Sequence, residues 1–238
     1  MSAKLYSVPT SPTCGFVRCV AKHLNVALCV KNLDFSKNEH LTEDYMKLNP
    51  FRKVPTLDDN GFIVHESTAI TYYLLRKYAP NSPLYPDCPL KRARIDQVLA
   101  TISNTIRPHF VEYCRQIFCE DRKPTAEEKV LFNCTVIQGL QHLIQGPFAV
   151  GDSLTLADLS IIANLTIAFT NGFVDIDKYP ALEEYYDRIM DQLPYFMEIF
   201  AEAVGSIQQR WSQILDRPLS PMSEDDEEPM NGTELPPE

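Results

Sequence analysis

Two short stretches of this chain carry side chains able to act together. One is Val54-Pro55-Thr56, the other His65-Glu66-Ser67, and an Asn60-Gly61 turn signal lies between them. A proline after Val54 is a place where a cis peptide turns the chain and leaves the Val54 backbone facing solvent. An exposed backbone edge of that kind pairs with an extended peptide, as an added strand does. Glu66 and Ser67 fall where a short apolar run gives way to helical spacing. A helix start offers free N–H groups and a positive dipole end to a carboxylate. Ser67 adds a hydroxyl and Glu66 can receive an ammonium, so the pair suits the α-amino-acid end of a small peptide. A purely local account also stands: Ser67 as an N-cap, and Glu66 as an acid favoured by the dipole.

The elements that must position these residues read as follows. "KLYSV" is a strand ending at Pro9, and Phe16, Val17, Val20, Ala21 and Leu24 mark one helical face. "VALCVKNLD" is a second strand, and Leu41, Tyr45 and Leu48 form a short helix stopped by Asn49-Pro50. "VPTL" and "FIVH" flank the Asn-Gly hairpin, and Ile70, Tyr73, Leu74 and Tyr78 form the next helical stripe. The order is βαβ followed by αββα, over residues 1–79. A proline-rich linker covers 80–89. Periodic apolar residues then predict helices over 90–118, 126–144, 156–169, 182–193 and 196–214, an all-α domain spanning 90–215. Thr155 with Asp158 resembles a capping box, with Leu154 and Leu159 as its hydrophobic staple. The segment 216–238, rich in Pro and Glu, reads as a disordered acidic tail.

Composition bounds the function. The chain has 238 residues and a net charge of −10, which argues against a nucleic-acid grip. Eight acidic residues and one basic lie between Asp216 and Glu238, so most of that charge is in the tail. No apolar run approaches the roughly 18 residues that span a membrane, and the first residues lack a signal-peptide core, so a cytoplasmic protein is expected. Seven scattered cysteines form no C-x-x-C pair and read as reduced thiols. The five histidines lack metal-ligand spacing, and no phosphate-binding glycine loop occurs.

The βαβ–αββα order, the stretch "NPFRKVPTL…NGFIVHESTAI" and the later "LTLADLSI" together resemble the cytosolic glutathione transferases, nearest the theta, delta and epsilon group. The resemblance covers residues 3 to 215. It implies an α/β thioredoxin-like N-terminal domain, an all-α C-terminal domain, and a homodimer that conjugates glutathione to small hydrophobic electrophiles in detoxification. By position it assigns the cis-proline to Pro55, the cysteinyl backbone contact to Val54, and the γ-glutamyl contacts to Glu66 and Ser67. The glycyl carboxylate falls to Arg52, Lys53 and His40, although Arg52 and Lys53 also read as a solvated basic pair. Glutathione is the co-substrate implied, and no metal is expected.

Such chemistry needs a thiolate. A free thiol titrates near 8.5, and lowering that by two units corresponds to roughly 2.7 kcal/mol. A hydroxyl donor to sulfur beside a helix N-terminus supplies stabilisation of that size. The resemblance selects Ser11 among Thr10, Ser11 and Thr13. Relatives read Ser-x-Pro-Cys-Arg where this chain reads Ser11-Pro12-Thr13-Cys14-Gly15. Proline after serine makes Pro12 a natural first helical residue and Ser11 a natural N-cap. Three readings therefore stand: Ser11 as the donor to sulfur, Ser11 as a cap only, and Thr10 or Tyr6 in its place. Cys14 reads as a buried structural thiol.

The resemblance places the second-substrate wall on Pro12, Arg107, Phe110, Val111, Cys114, Ile117, Phe118 and Phe200. Most of these also read as ordinary core. Arg107 stands where relatives often place an aromatic and suits an acidic or polar substrate. Two rivals share the fold: a non-catalytic binder of ligands or proteins, and a glutathione-dependent peroxidase or isomerase.

Overall fold

A computed structural model describes residues 2–170 and 173–216; the expected tail therefore lies outside the described residues, apart from Asp216. Four strands, β1 (Ala3–Ser7), β2 (Leu28–Asn32), β3 (Thr56–Asp59) and β4 (Phe62–His65), form one sheet in the order β2-β1-β3-β4. β1 and β2 run parallel, while β3 is antiparallel to both β1 and β4. Leu5 faces Val30 on one side and Leu57 on the other, and Leu57 faces Val64. The hairpin turns at Asn60 and Gly61, both with positive φ (54° and 92°), as a two-residue Asn-Gly loop requires.

Helix α1 (Pro12–His23) follows β1, α2 (Glu43–Leu48) follows β2, and α3 (Ser67–Tyr78) follows β4. This is the thioredoxin-like arrangement. Seven further helices make up the second half: α4 (Pro89–Thr101), α5 (Arg107–Phe118), α6 (Ala126–Phe132), α7 (Gln138–His142), α8 (Leu156–Thr170), α9 (Pro180–Asp191) and α10 (Phe196–Leu215). No strand occurs there among the described residues.

The helix expected over 90–118 is interrupted by a wide π-helical turn, Ile102–Ile106. Its cause is Pro108, which has no N–H for the Asn104 carbonyl and whose ring crowds it. The Arg107 N–H instead reaches back to the Ile102 carbonyl, five residues away. The helix expected over 126–144 carries a second such turn, Asn133–Ile137. Gly139, just beyond it, packs against Ile106, where a Cβ would lie 3.3 Å from that side chain. Thr125 and Glu128 form a full capping box that the sequence reading passed over.

Helix α1 is shared by two cores. Val17 and Ala21 pack on Ala3, Leu5, Leu57, Ile70 and Leu74, the core between sheet and helices. Phe16, Cys19 and Val20 join the larger helical core with Leu165, Phe196 and Phe200. Helix α8 is buried along nearly its whole length, as its apolar sequence predicts. Asp158 anchors its start. One of its oxygens accepts from the Thr155 N–H (2.8 Å) and hydroxyl (2.9 Å). The other accepts from the Ala149 N–H (2.7 Å) and the Tyr185 hydroxyl (2.8 Å). The threonine thus donates to the acid instead of capping the helix in the usual sense. Burial lifts the Asp158 carboxyl above the usual range, against the pull of these donors.

Candidate functional site

Three loops meet at one end of the sheet. The last pairings there join Tyr6 to Thr56 and Thr56 to His65. One step further lie Pro55 on one strand and Glu66 on the other, and β1 leads past Ser7 toward Ser11. The Val54–Pro55 peptide is cis.

The backbone at Lys53 is held by a buried polar cluster. Its carbonyl accepts from the Tyr45 hydroxyl (2.6 Å) and from Asn49 Nδ2 (2.9 Å). The same Asn49 amide donates to Thr56 Oγ1 (2.9 Å), and its Oδ1 accepts from the Phe51 N–H (3.0 Å). Asn49 is only 2% exposed, so each of its polar atoms is committed. Arg52, in the turn this amide organises, has φ of 59°. Its side chain and that of Lys53 are exposed, while Val54 is half-buried.

Glu66 occupies the N-cap position of α3, with φ 70° and ψ 119°, and Ser67 is the first helical residue. The local reading of Ser67 as N-cap is thereby corrected: neither side chain caps the helix. A non-glycine residue in this region costs about 1–3 kcal/mol and persists only where its surroundings impose it. Glu66 is exposed and Ser67 half-buried, so both remain accessible beside Pro55. His40 stacks on Phe35 with ring centroids 4.0 Å apart, and its Nδ1 is buried without a partner.

Ser11 is the N-cap of α1. Its Oγ accepts from the Cys14 N–H (3.4 Å) and lies 3.1 Å from Thr13 Oγ1. Pro12 is buried at the first helical position. Burial pushes the Cys14 thiol up, only partly offset by the hydroxyls of Ser11 and Ser7, the Val8 backbone and Arg107. Cys14 is therefore a neutral, enclosed thiol and no nucleophile. Gly15 lies directly under Phe200: a Cβ there would sit 2.1 Å from the ring. This contact leaves no room for a side chain at position 15.

A cavity of about 720 Å³ opens between these loops and the helical half. Thr10, Ser11, Pro12, Lys53 and Val54 line one side, with Arg52 and Phe35 at the rim. Arg107, Phe110, Val111, Cys114 and Phe118 of α5 line the other. Ile117 and Phe200, expected on this wall, belong to the core instead. Ile117 is fully enclosed (0%), and Phe200 stacks on Phe196 at 4.5 Å. Helical periodicity cannot separate a face turned to a cleft from one turned to the core. The part of α10 facing the cavity is Ser206, Ile207 and Arg210, which sequence reasoning missed because no motif marks them. His40, Pro55, Glu66 and Ser67 are not among the residues that line it.

Arg107 dominates the field of this wall. Arg115 pairs with Glu112 (2.7 Å) and Arg210 with Asp121 (2.7 Å). Arg107 makes no hydrogen bond or ion pair among the described residues. Burial lowers its pKa, partly offset by Cys14, Glu66 and Cys114, yet an arginine stays cationic under these conditions. Burial pushes the Cys114 thiol to about 12, leaving it neutral. Among the described residues no cluster of His, Cys, Asp and Glu is arranged to hold a metal, and no helix is long and apolar enough to cross a membrane.

Comparison with known proteins agrees with this geometry. Residues 1–76 match the model for the glutathione S-transferase N-terminal domain, and residues 109–200 that for the C-terminal domain. A delta-class glutathione transferase of Nilaparvata lugens is 31% identical, with TM-score 0.81, over 89% of this chain and 99% of that one. An epsilon-class enzyme from the housefly, Musca domestica, is 25% identical, with TM-score 0.79, over 90% and 98%. Human glutathione-S-transferase T1-1 is 25% identical, with TM-score 0.78, over 90% and 97%. The N-terminal and helical halves thus have their counterparts in solved enzymes, and the chain belongs to the glutathione S-transferase family.

Proposed function

We propose that the protein conjugates glutathione to small hydrophobic electrophiles, with Ser11 donating a hydrogen bond to the sulfur. The observation that carries this reading is the position of Ser11: at the start of α1, on the cavity wall, opposite the apolar residues of α5. In this reading the tripeptide runs along Val54, whose backbone pairs with its cysteinyl unit. Its α-amino-acid end meets Glu66 and Ser67, and its glycyl carboxylate meets Arg52, Lys53 and His40. The first turn of α1 adds its dipole to the hydroxyl, and both favour the thiolate over the thiol. Catalysis is then thiolate stabilisation plus positioning of two substrates in neighbouring sites.

The second substrate rests on Phe110, Val111 and Phe118. The unpaired guanidinium of Arg107 adds a preference for electrophiles that carry an anionic group. The working molecule in this proposal is a homodimer in the cytoplasm. A non-catalytic binding protein is the rival, favoured by the bonds that tie Ser11 to its own helix.

Conjugation of an aryl halide with glutathione tests the reading. Ser11→Ala is expected to lower kcat/KM by about 10²-fold, the scale of losing one donor to a developing anion, while the circular dichroism spectrum stays unchanged. Undiminished turnover in that variant removes Ser11 from the mechanism. Glutathione binding with no turnover in the native protein favours the rival.

A further inference from the structure

Ser11 Oγ is in contact with three polar groups of its own chain, the Cys14 N–H, Thr13 Oγ1 and the Cys14 thiol, and their arrangement bears on where its single proton points. A hydroxyl has one hydrogen to give and two lone pairs to receive. One lone pair takes the Cys14 N–H at 3.4 Å, a bond whose direction is fixed because an amide only donates. The second neighbour is Thr13 Oγ1 at 3.1 Å, and there either oxygen can be the donor. If Ser11 donates to Thr13, its proton is spent inside the helix turn and none remains for a ligand. If Thr13 donates to Ser11, both lone pairs are filled, and the Ser11 proton must leave in a third direction. Two takers then remain: the neutral Cys14 thiol, a weak acceptor, and the cavity, which Ser11 lines and Thr13 does not.

Resting on the reading that Ser11 serves the sulfur, we infer that Thr13 is a positioning residue: it donates to Ser11 Oγ and thereby aims the Ser11 proton into the cleft. Two further features favour this direction. Thr13 is β-branched and half-buried in the first turn of α1, which restricts its rotamers, and its oxygen lies beside Ser11. It also has no other hydrogen-bond partner among the described residues. A hydroxyl that already accepts two hydrogen bonds is polarised and donates more strongly through its own proton. The relay runs Thr13 O–H to Ser11 Oγ, then Ser11 O–H to sulfur, and no covalent bond changes.

The opposite orientation predicts the opposite sign, which makes the inference sharp. The measurement is the ultraviolet absorbance of the thiolate of bound glutathione, titrated against pH, on the full-length protein. Four forms are compared: native, Thr13→Val, Thr13→Ser and Ser11→Ala. Thr13→Val keeps the shape and removes the donor. It is expected to raise the thiol pKa by about 0.5 to 1 unit and to lower kcat/KM near neutrality about 3- to 10-fold, the scale of one modest hydrogen bond. Thr13→Ser restores the hydroxyl and is expected to return the pKa to the native value. In a Ser11→Ala background, Thr13→Val should add nothing.

A lower or unchanged thiol pKa in Thr13→Val overturns the inference, and so does failure of Thr13→Ser to restore it. Ser11→Ala separates this from the broader reading. If Ser11→Ala raises the thiol pKa while Thr13→Val does not, only the role of Thr13 falls. If Ser11→Ala leaves the pKa at its native value, the serine-based reading falls and takes the relay with it.

Discussion

Across the cleft, two walls are built by different means. On the Val54–Pro55 side the backbone itself forms part of the wall, held from behind by Tyr45, Asn49 and Thr56. On the α5 and α10 side the groups offered are side chains: Arg107, Phe110, Val111 and Ile207 project from helices whose own backbone bonds are already made. A backbone site needs a buried polar scaffold in which each member depends on the others. A side-chain site tolerates replacement one residue at a time. The first wall suits an invariant partner, the second a changing one.

Substitution at the seam breaks both walls together. Gly15→Ala would drive a methyl into the Phe200 ring. Overpacking a tight core costs about 1–3 kcal/mol, so a fall in Tm of several degrees is expected, with loss of turnover toward every substrate. Thermal unfolding of the variant with its Tm unmoved would show that α10 yields freely and that the seam is soft.

The backbone wall is broken selectively at Asn49. Asn49→Ala leaves the Lys53 carbonyl and the Phe51 N–H short of a partner, a loss of about 1–3 kcal/mol for buried groups. KM for glutathione should rise about tenfold, with KM for the electrophile nearly unchanged. An equal rise in both constants would mean that the two walls are not independent.

The smallest effect belongs to the side-chain wall. Arg107→Gln should raise KM about threefold to fivefold for an electrophile bearing a carboxylate, the scale of one partly solvated charge pair at about 1 kcal/mol. A neutral electrophile of the same shape should be unaffected. Equal losses for both would assign Arg107 to packing alone.

The same contrast explains what could be read from the sequence. Strands, the Asn60-Gly61 hairpin and the Val54-Pro55 corner were legible because each depends on local backbone rules carried by Gly, Pro and Asn. Helix α8 was legible from its unbroken apolar run. The two π-helical turns were not: one follows from a proline acting on residues before it, the other carries no residue-type signal. Ile117 and Phe200 show the limit of periodicity, which finds the buried stripe but not which of its sides meets a cavity. The local account of Ser67 as a cap rests on a residue type that favours one, yet the chain enters α3 through a positive φ at Glu66. The contacts of Ser11 with Thr13, and of Gly15 with Phe200, depend on rotamers and on residues up to 185 positions apart in the chain.

Because α1 contributes one face to the sheet and the other to the helical core, moving one half against the other would disturb the packing of one of them. The width of the gap between the walls is accordingly tied to how α1 packs in both cores. New substrate ranges in this scaffold would come from exchanging residues on α5 and α10, with the geometry of the opening left as it is.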